Sequence, residues 1–231
     1  VATRRPLVVV SGEVKELPTA DGLPGTKVSA LSAASALTGS EVVPLVQGGA
    51  TVGATMAQVN AYAEPIRQVI VSTQSLSANT DTYVASSALI LPQSRMQAGV
   101  VARWHLVLTK TAAGTATPTI NVRLGTAGTT SDAALTAFTG IAQTAVADTA
   151  WLEVMAVFRA HSSTATVYSS YRLDHKLAAT GFATQSAVAD GGVSGSVNTT
   201  TANVRIGLSI NPGVSGVWTV QAGECQLENV L

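Results

Sequence analysis

Acids, bases and nucleophiles are thinly spread in this 231-residue chain, and their spacing sets the first limit on its chemistry. The three histidines are His105, His161 and His175. The densest cluster is YRLDHK, residues 171–176, where Asp174 precedes His175. A carboxylate can orient an imidazole for general-base work, but neighbours on a strand point to opposite faces, so these two do not pair without a bulge. The cluster therefore reads as surface or interface polarity. His105 shares a polar strand face with Arg103 and reads the same way. Cleaving a polysaccharide requires a carboxylate pair across a cleft. Residues 66–231 supply Asp81, Asp132, Asp148, Glu153, Asp174, Asp190, Glu224 and Glu228. Glu224 and Glu228 share one strand phase but lie apart along it.

One cysteine, Cys225, and three scattered histidines do not make a metal-ligand set, and no Asp/Asn loop resembles a calcium site. GGVSGS, residues 191–196, lacks the lysine of a phosphate-gripping loop and reads as a flexible connection. No serine nucleophile elbow is present. The expectation is a protein without enzymatic activity, metal or cofactor. Aromatic platforms for a glycan are limited to Trp104, Trp151 and Trp218, with Tyr171. Trp104 is in phase with Leu106 and Leu108, and Trp218 with Val220 and Ala222, which predicts packing for both. Trp151 is out of phase with Leu152, Val154 and Phe158. It is either exposed or buried at a subunit interface with Met155 and Val157.

The elements that must carry these residues are strands. From residue 66 onward, period-two alternation with β-branched residues marks 67–73, 82–91, 100–110, 117–124, 150–161, 165–177, 201–210 and 216–230. Trp104, Leu106 and Leu108 oppose Arg103 and His105; Ile120, Val122 and Leu124 oppose Asn121 and Arg123; Val204, Ile206, Leu208 and Ile210 oppose Asn203, Arg205 and Ser209. About eight such strands point to an antiparallel β-sandwich, jelly-roll-like, over residues 66–231. Residues 132–148 leave helix, strand and a mixture of both open. No heptad tract or G-X-Y run supports a long shaft.

Charged residues are 11% of the chain, against roughly 25% in ordinary soluble domains, while hydrophobic residues are 46%. Between Arg123 and Glu153 only Asp132 and Asp148 are charged. Such a surface is better covered by other subunits than left free. With 13 basic and 13 acidic residues the net charge is zero, which argues against nucleic-acid binding. No run reaches the length of a membrane span, and LVVV after Arg5-Pro6 is far shorter than a signal-peptide core. Val1 fits removal of an initiator Met, as expected for cytoplasmic synthesis.

Residues 1–36 carry Pro6, Pro18 and Pro24 with Gly12, Gly22 and Gly25, and read as an extended arm. Residues 29–37, SALSAASAL, fit a short helix or a close-packed strand. Residues 37–65 read as a compact module: EVVPLVQ and a second short strand around Gly48-Gly49, then a helix, MAQVNAYA, capped by Thr55 and stopped by Pro65. Arg4 and Arg5 are too few for a polybasic membrane anchor; a solvated start and docking onto an acidic neighbour both remain open.

The segment LTGSEVVPLVQGG resembles the pattern LTGxExVPxVQGG near the start of fibres and appendages of tailed-bacteriophage virions. The matching positions are Leu37, Thr38, Gly39, Glu41, Val43, Pro44, Val46, Gln47, Gly48 and Gly49; RRPLVVVSGEVKELPTADGLPG, residues 4–25, looks like the segment that often precedes it. The resemblance covers about the first quarter of the chain. It implies a virion protein assembled in the host cytoplasm: a short trimeric head or tail fibre, or a capsid-decorating knob. Attachment to capsid, portal or tail components would run through Arg4, Arg5, Glu41, Val43, Pro44, Val46, Gln47, Gly48 and Gly49. The alternative is a receptor-binding module for host surface glycans, with Trp151, Met155 and Tyr171 as receptor or interface residues.

Overall fold

The computed structural model describes residues 7–10, 13–16, 42–47, 50–55, 66–183, 191–200 and 202–230. The chain divides into two compact units, Val1–Ala61 and Tyr62–Leu231. In the first, β1 (Leu7–Val10) pairs antiparallel with β2 (Glu13–Glu16), so strand pairing occurs inside the stretch expected to be an extended arm. Next, β3 (Val42–Gln47) pairs antiparallel with β4 (Ala50–Thr55), with Gln47 opposite Ala50. Gly48 and Gly49, which follow Gln47 in sequence, lie outside the described residues. The expected helix over MAQVNAYA lies outside the described residues, as do Arg4, Arg5 and Glu41.

In the second unit, β5 (Ile66–Ile70), β6 (Gln74–Leu76), β7 (Thr82–Tyr83), β8 (Leu89–Leu91), β9 (Val101–Lys110), β10 (Thr119–Gly125), β11 (Ala133–Thr139) and β12 (Asp148–Phe158) are followed by β13 (Val167–His175), β14 (Gly191–Val193), β15 (Val204–Asn211) and β16 (Trp218–Glu228). They form two antiparallel sheets. The larger runs β14-β13-β12-β9-β16-β5, with β6 also on β16; the smaller runs β11-β10-β15-β7, with β8 also on β15. The described protein is thus mostly β and antiparallel.

Alternation decides which residues enter the core. Along β9, Ala102, Trp104, Leu106 and Leu108 are buried while the residues between them stay half-exposed. Along β12, Ala150, Leu152, Val154, Ala156 and Phe158 do the same. They meet Ile120, Val122, Phe138, Val204, Ile206 and Leu208 from the smaller sheet in one continuous cluster. Both buried indole N–H groups are bonded, whereas the buried hydroxyls of Tyr83, Thr136 and Ser169 have no partner among the described residues. Trp104 Nε1 donates to the Ser87 carbonyl at 2.8 Å, and Trp218 Nε1 donates to Gln143 Oε1 at 2.9 Å.

Several sequence expectations change. The single strand expected over 82–91 is two, β7 and β8, because Ser86 takes a left-handed φ of 60° between them. GGVSGS is not merely a connection: Gly191–Val193 is the edge strand β14, paired with β13. Residues 132–148 contain strand β11 and no helix. The winding also departs from a jelly roll. The pairs β9–β16 and β10–β15 nest in alternate sheets, but β11 and β14, which a jelly roll would put together beside β16, are split: β11 pairs β10 in the smaller sheet and β14 pairs β13 in the larger. Finally, β16 is bulged between Val220 and Ala222, so Ala222 leaves the phase of Trp218 and Val220 and is exposed.

Cys225 is fully buried beyond that bulge. Burial, and secondarily the Glu224 carboxylate, push its thiol from 9.0 up to about 12. The fold holds this proton more tightly than the unfolded chain does. Its stabilising contribution is therefore fully present below pH 9 and is lost as pH rises toward 12. At pH 9, iodoacetamide is expected to leave Cys225 unmodified in native protein and to alkylate it once denaturant unfolds the chain. Alkylation of native protein at the rate of a free thiol contradicts this packing.

Candidate functional site

The solvent face of the larger sheet gathers the side chains best placed to meet a partner. Strands β12, β9 and β16 lie side by side there, and their registers align two rows. One row is Trp151, Val107 and Ala222, with Asp174 beside Trp151 on β13. The next is Arg172, Glu153, His105 and Glu224, ending at Val69 on β5. Trp151 is 61% exposed, whereas Trp104 and Trp218 are buried. Val69 and Val71 are exposed as well. An open depression of about 370 Å³ lies over Trp151, Val107, Ala222 and Val69, with His105 and Glu224 on its polar side.

The β16 bulge makes this arrangement. Without the extra residue, Ala222 and Glu224 would follow Trp218 and Val220 inward. Gly223 lets β16 lie close: a Cβ there would come within 2.7 Å of the His105 carbonyl oxygen and 2.6 Å of Leu106 Cδ2.

The charges beside the depression are drawn into pairs. His105 Nε2 lies 3.3 Å from Glu153 Oε1 and its Nδ1 lies 3.7 Å from Glu224 Oε1. Arg67 pairs with Glu224 at 3.1 Å, and Arg103 contacts Glu228 at 3.2 Å and Glu153 at 3.9 Å. Arg172 pairs with Asp174 at 2.8 Å. The pairs are substantially exposed, so each contributes about 0–1 kcal/mol. They give the face hydrogen-bonding capacity, and with three arginines against four carboxylates it offers no net attraction for an anion.

Two other polar clusters are structural. His175 is not surface polarity, as its sequence context suggested, since its side chain is 8% exposed and its Nδ1 donates to Asp148 Oδ2 at 2.8 Å. Asp148 was out of view because its strand is distant in sequence. Its carboxylate also accepts from the Thr149 and Phe182 amides, which leaves it little capacity for a substrate. Its cross-strand neighbour Lys110 donates to the carbonyls of Thr111, Thr144 and Val146 at 3.0, 2.7 and 3.0 Å. Burial holds the Lys110 ammonium below its usual range, with Asp148 opposing the shift. On the smaller sheet, Arg123 binds Asp81, Ser209 and the Thr130 carbonyl, tying loops to strands.

Of the receptor or interface candidates Trp151, Met155 and Tyr171, only Trp151 lines the depression. Met155 is half-buried on the same face, opposite Arg103. Tyr171 is not a platform: it packs against the core with its ring 4.9 Å from Phe138. Val43, Pro44, Val46 and Gln47 all lie on β3. His105, Glu153 and Glu224 were visible as isolated residues, but the register that joins them was not.

Since Trp104 and Trp218 are sequestered, acrylamide-quenchable emission is expected to come from Trp151. Trp151→Phe should remove the quenchable, red-shifted component and change stability by no more than about 0.5 kcal/mol, as for an exposed site. Undiminished quenching in that variant would mean that another tryptophan is accessible.

No family model matches the sequence, and no curated protein or solved structure matches the chain.

Proposed function

We propose that this chain is a non-enzymatic structural protein of a tailed-phage virion, a short fibre or capsid-decorating knob. Residues 66–231 form a β-sandwich, and the N-terminal segments attach it to the particle. The supporting observation is that the phage-like segment LTGSEVVPLVQGG coincides with a paired element, β3 with β4, in a unit separate from the larger core. Short strands such as β1 to β4 offer backbone edges to a neighbour's sheet, a mode of adhesion that needs few charged side chains. That suits a chain with 11% charged residues. Homotrimers around a three-fold axis would cover uncharged faces of the sandwich. The partners in this reading are further copies of the chain and capsid, portal or tail components, and the location is the virion.

The exposure of Trp151 favours a second reading, in which the knob also binds a host surface glycan as a receptor module. Attachment and receptor binding use different parts of the chain and are compatible.

Removing residues 1–36 is expected to leave the thermal transition of the larger unit in place, because among the described residues its core cluster draws on Ile66 and later positions. The truncated protein should fail to join particles assembled without the wild-type chain. Decoration at full occupancy would show that the arm is not the anchor.

A further inference from the structure

We propose that the depression beside Trp151 is a saccharide subsite that takes one neutral hexopyranose ring of a larger glycan. This deepens the receptor-binding reading and rests on it. A pyranose ring presents an apolar C–H face and a rim of hydroxyls, so its site needs an exposed aromatic plate with polar partners at one edge. Trp151 is that plate, with 61% exposure on a strand otherwise anchored by buried alternate residues. Burying its indole against an apolar ring face gains hydrophobic contact, while the indole edge can stay wet. Glu153 follows two residues along β12, roughly 7 Å away, with His105 and Glu224 beside it on the next two strands. A single sugar ring spans from the indole to that row.

Charge selects the ligand class. Glu224 is already paired with Arg67, Glu153 with Arg103, and His105 lies between the two carboxylates. An ionic ligand would have to break these pairs, whereas neutral hydroxyls can share their lone pairs and N–H groups.

Area separates a sugar from a second copy of the chain. The apolar lining is the row Trp151, Val107 and Ala222, flanked on one side by the charged row with Val69 at its end and on the other by Thr149 and Thr109. A stable protein interface needs about 800 Å² and about 20–30 residues per partner. These four apolar side chains, even with half-exposed Met155, Val157 and Val101 farther along the face, fall well short of that number, yet the depression suits one ring. The site is also preformed: β12, β9 and β16 are each paired on both sides, and β5, which carries Val69, is registered on β16 at the sheet edge.

The test uses the full chain on an array of purified bacterial envelope polysaccharides, with Trp151→Ala and Trp151→Phe compared with wild type and thermal melts confirming that each folds. The expected result is binding by wild type, about a tenfold or greater loss in Trp151→Ala as for removal of an aromatic hot spot, and partial retention in Trp151→Phe. Wild-type binding that Trp151→Ala leaves unchanged keeps the receptor reading and overturns this subsite. Absence of wild-type binding to every polysaccharide overturns both. If Trp151→Ala instead lowers the oligomeric state in sedimentation velocity, the face is an interface between copies and the subsite is overturned.

Discussion

Strand β9 is clamped along its length by β12 on one side and β16 on the other, and this double register fixes the side to which each of its residues points. A slip of one residue would exchange Trp104 for His105 in the core and place Arg103 and His105 among Leu152, Val154 and Phe158. Such a slip is heavily disfavoured, since burying an unpaired guanidinium and exposing Trp104, Leu106 and Leu108 both cost free energy. The apolar side of β9 and the polar side of the candidate site are therefore two consequences of one constraint.

The outer face needs a second device, because simple alternation would not have built it. Had β16 continued the phase of Trp218 and Val220, Ala222 would fill the core, Glu224 would be buried without a partner, and Cys225 would face solvent. The bulge reverses all three placements. Its cost is a local break in the ladder, offset by burial of Cys225 and Leu227 and by the Arg67–Glu224 contact across to β5. Gly223 is part of the same device, since a side chain there would collide with backbone of β9.

These features explain what the sequence did and did not reveal. Strands such as β9, β10 and β15 are long and strictly alternating, so their position and inward face were legible, as were burial of Trp104 and Trp218. The bulge left no signature: GECQLE after VWTVQA alternates acceptably in either phase, and only the partner strand decides. Edge strands β6 and β14 are three residues each, too short for periodicity to register. Tyr171 misled because its own strand, with Ser169, Ser170 and Arg172 around it, looks polar. Its packing comes from Phe138, which belongs to the other sheet. The His175–Asp148 contact was hidden for a similar reason, as register between strands is a tertiary property.

The distribution of charge is the remaining clue to how the outer face is used. The chain has 26 charged residues in total, from 13 basic and 13 acidic, and seven of them, Arg67, Arg103, Glu153, Arg172, Asp174, Glu224 and Glu228, line this one sheet face. Exposed pairs of this kind contribute little to folding, so stability does not account for their concentration. Solvation does: a broad antiparallel sheet with one free face invites stacking against other sheets, and fixed charges along it resist that. The apolar strip at Trp151 interrupts this wetted surface where its aromatic side chain is 61% exposed, while Met155, Val157 and Val101 farther along the face are half-buried. A strip that narrow suits something small, rigid and uncharged. The same charges that keep the sheet from stacking thus leave the indole free for a ligand.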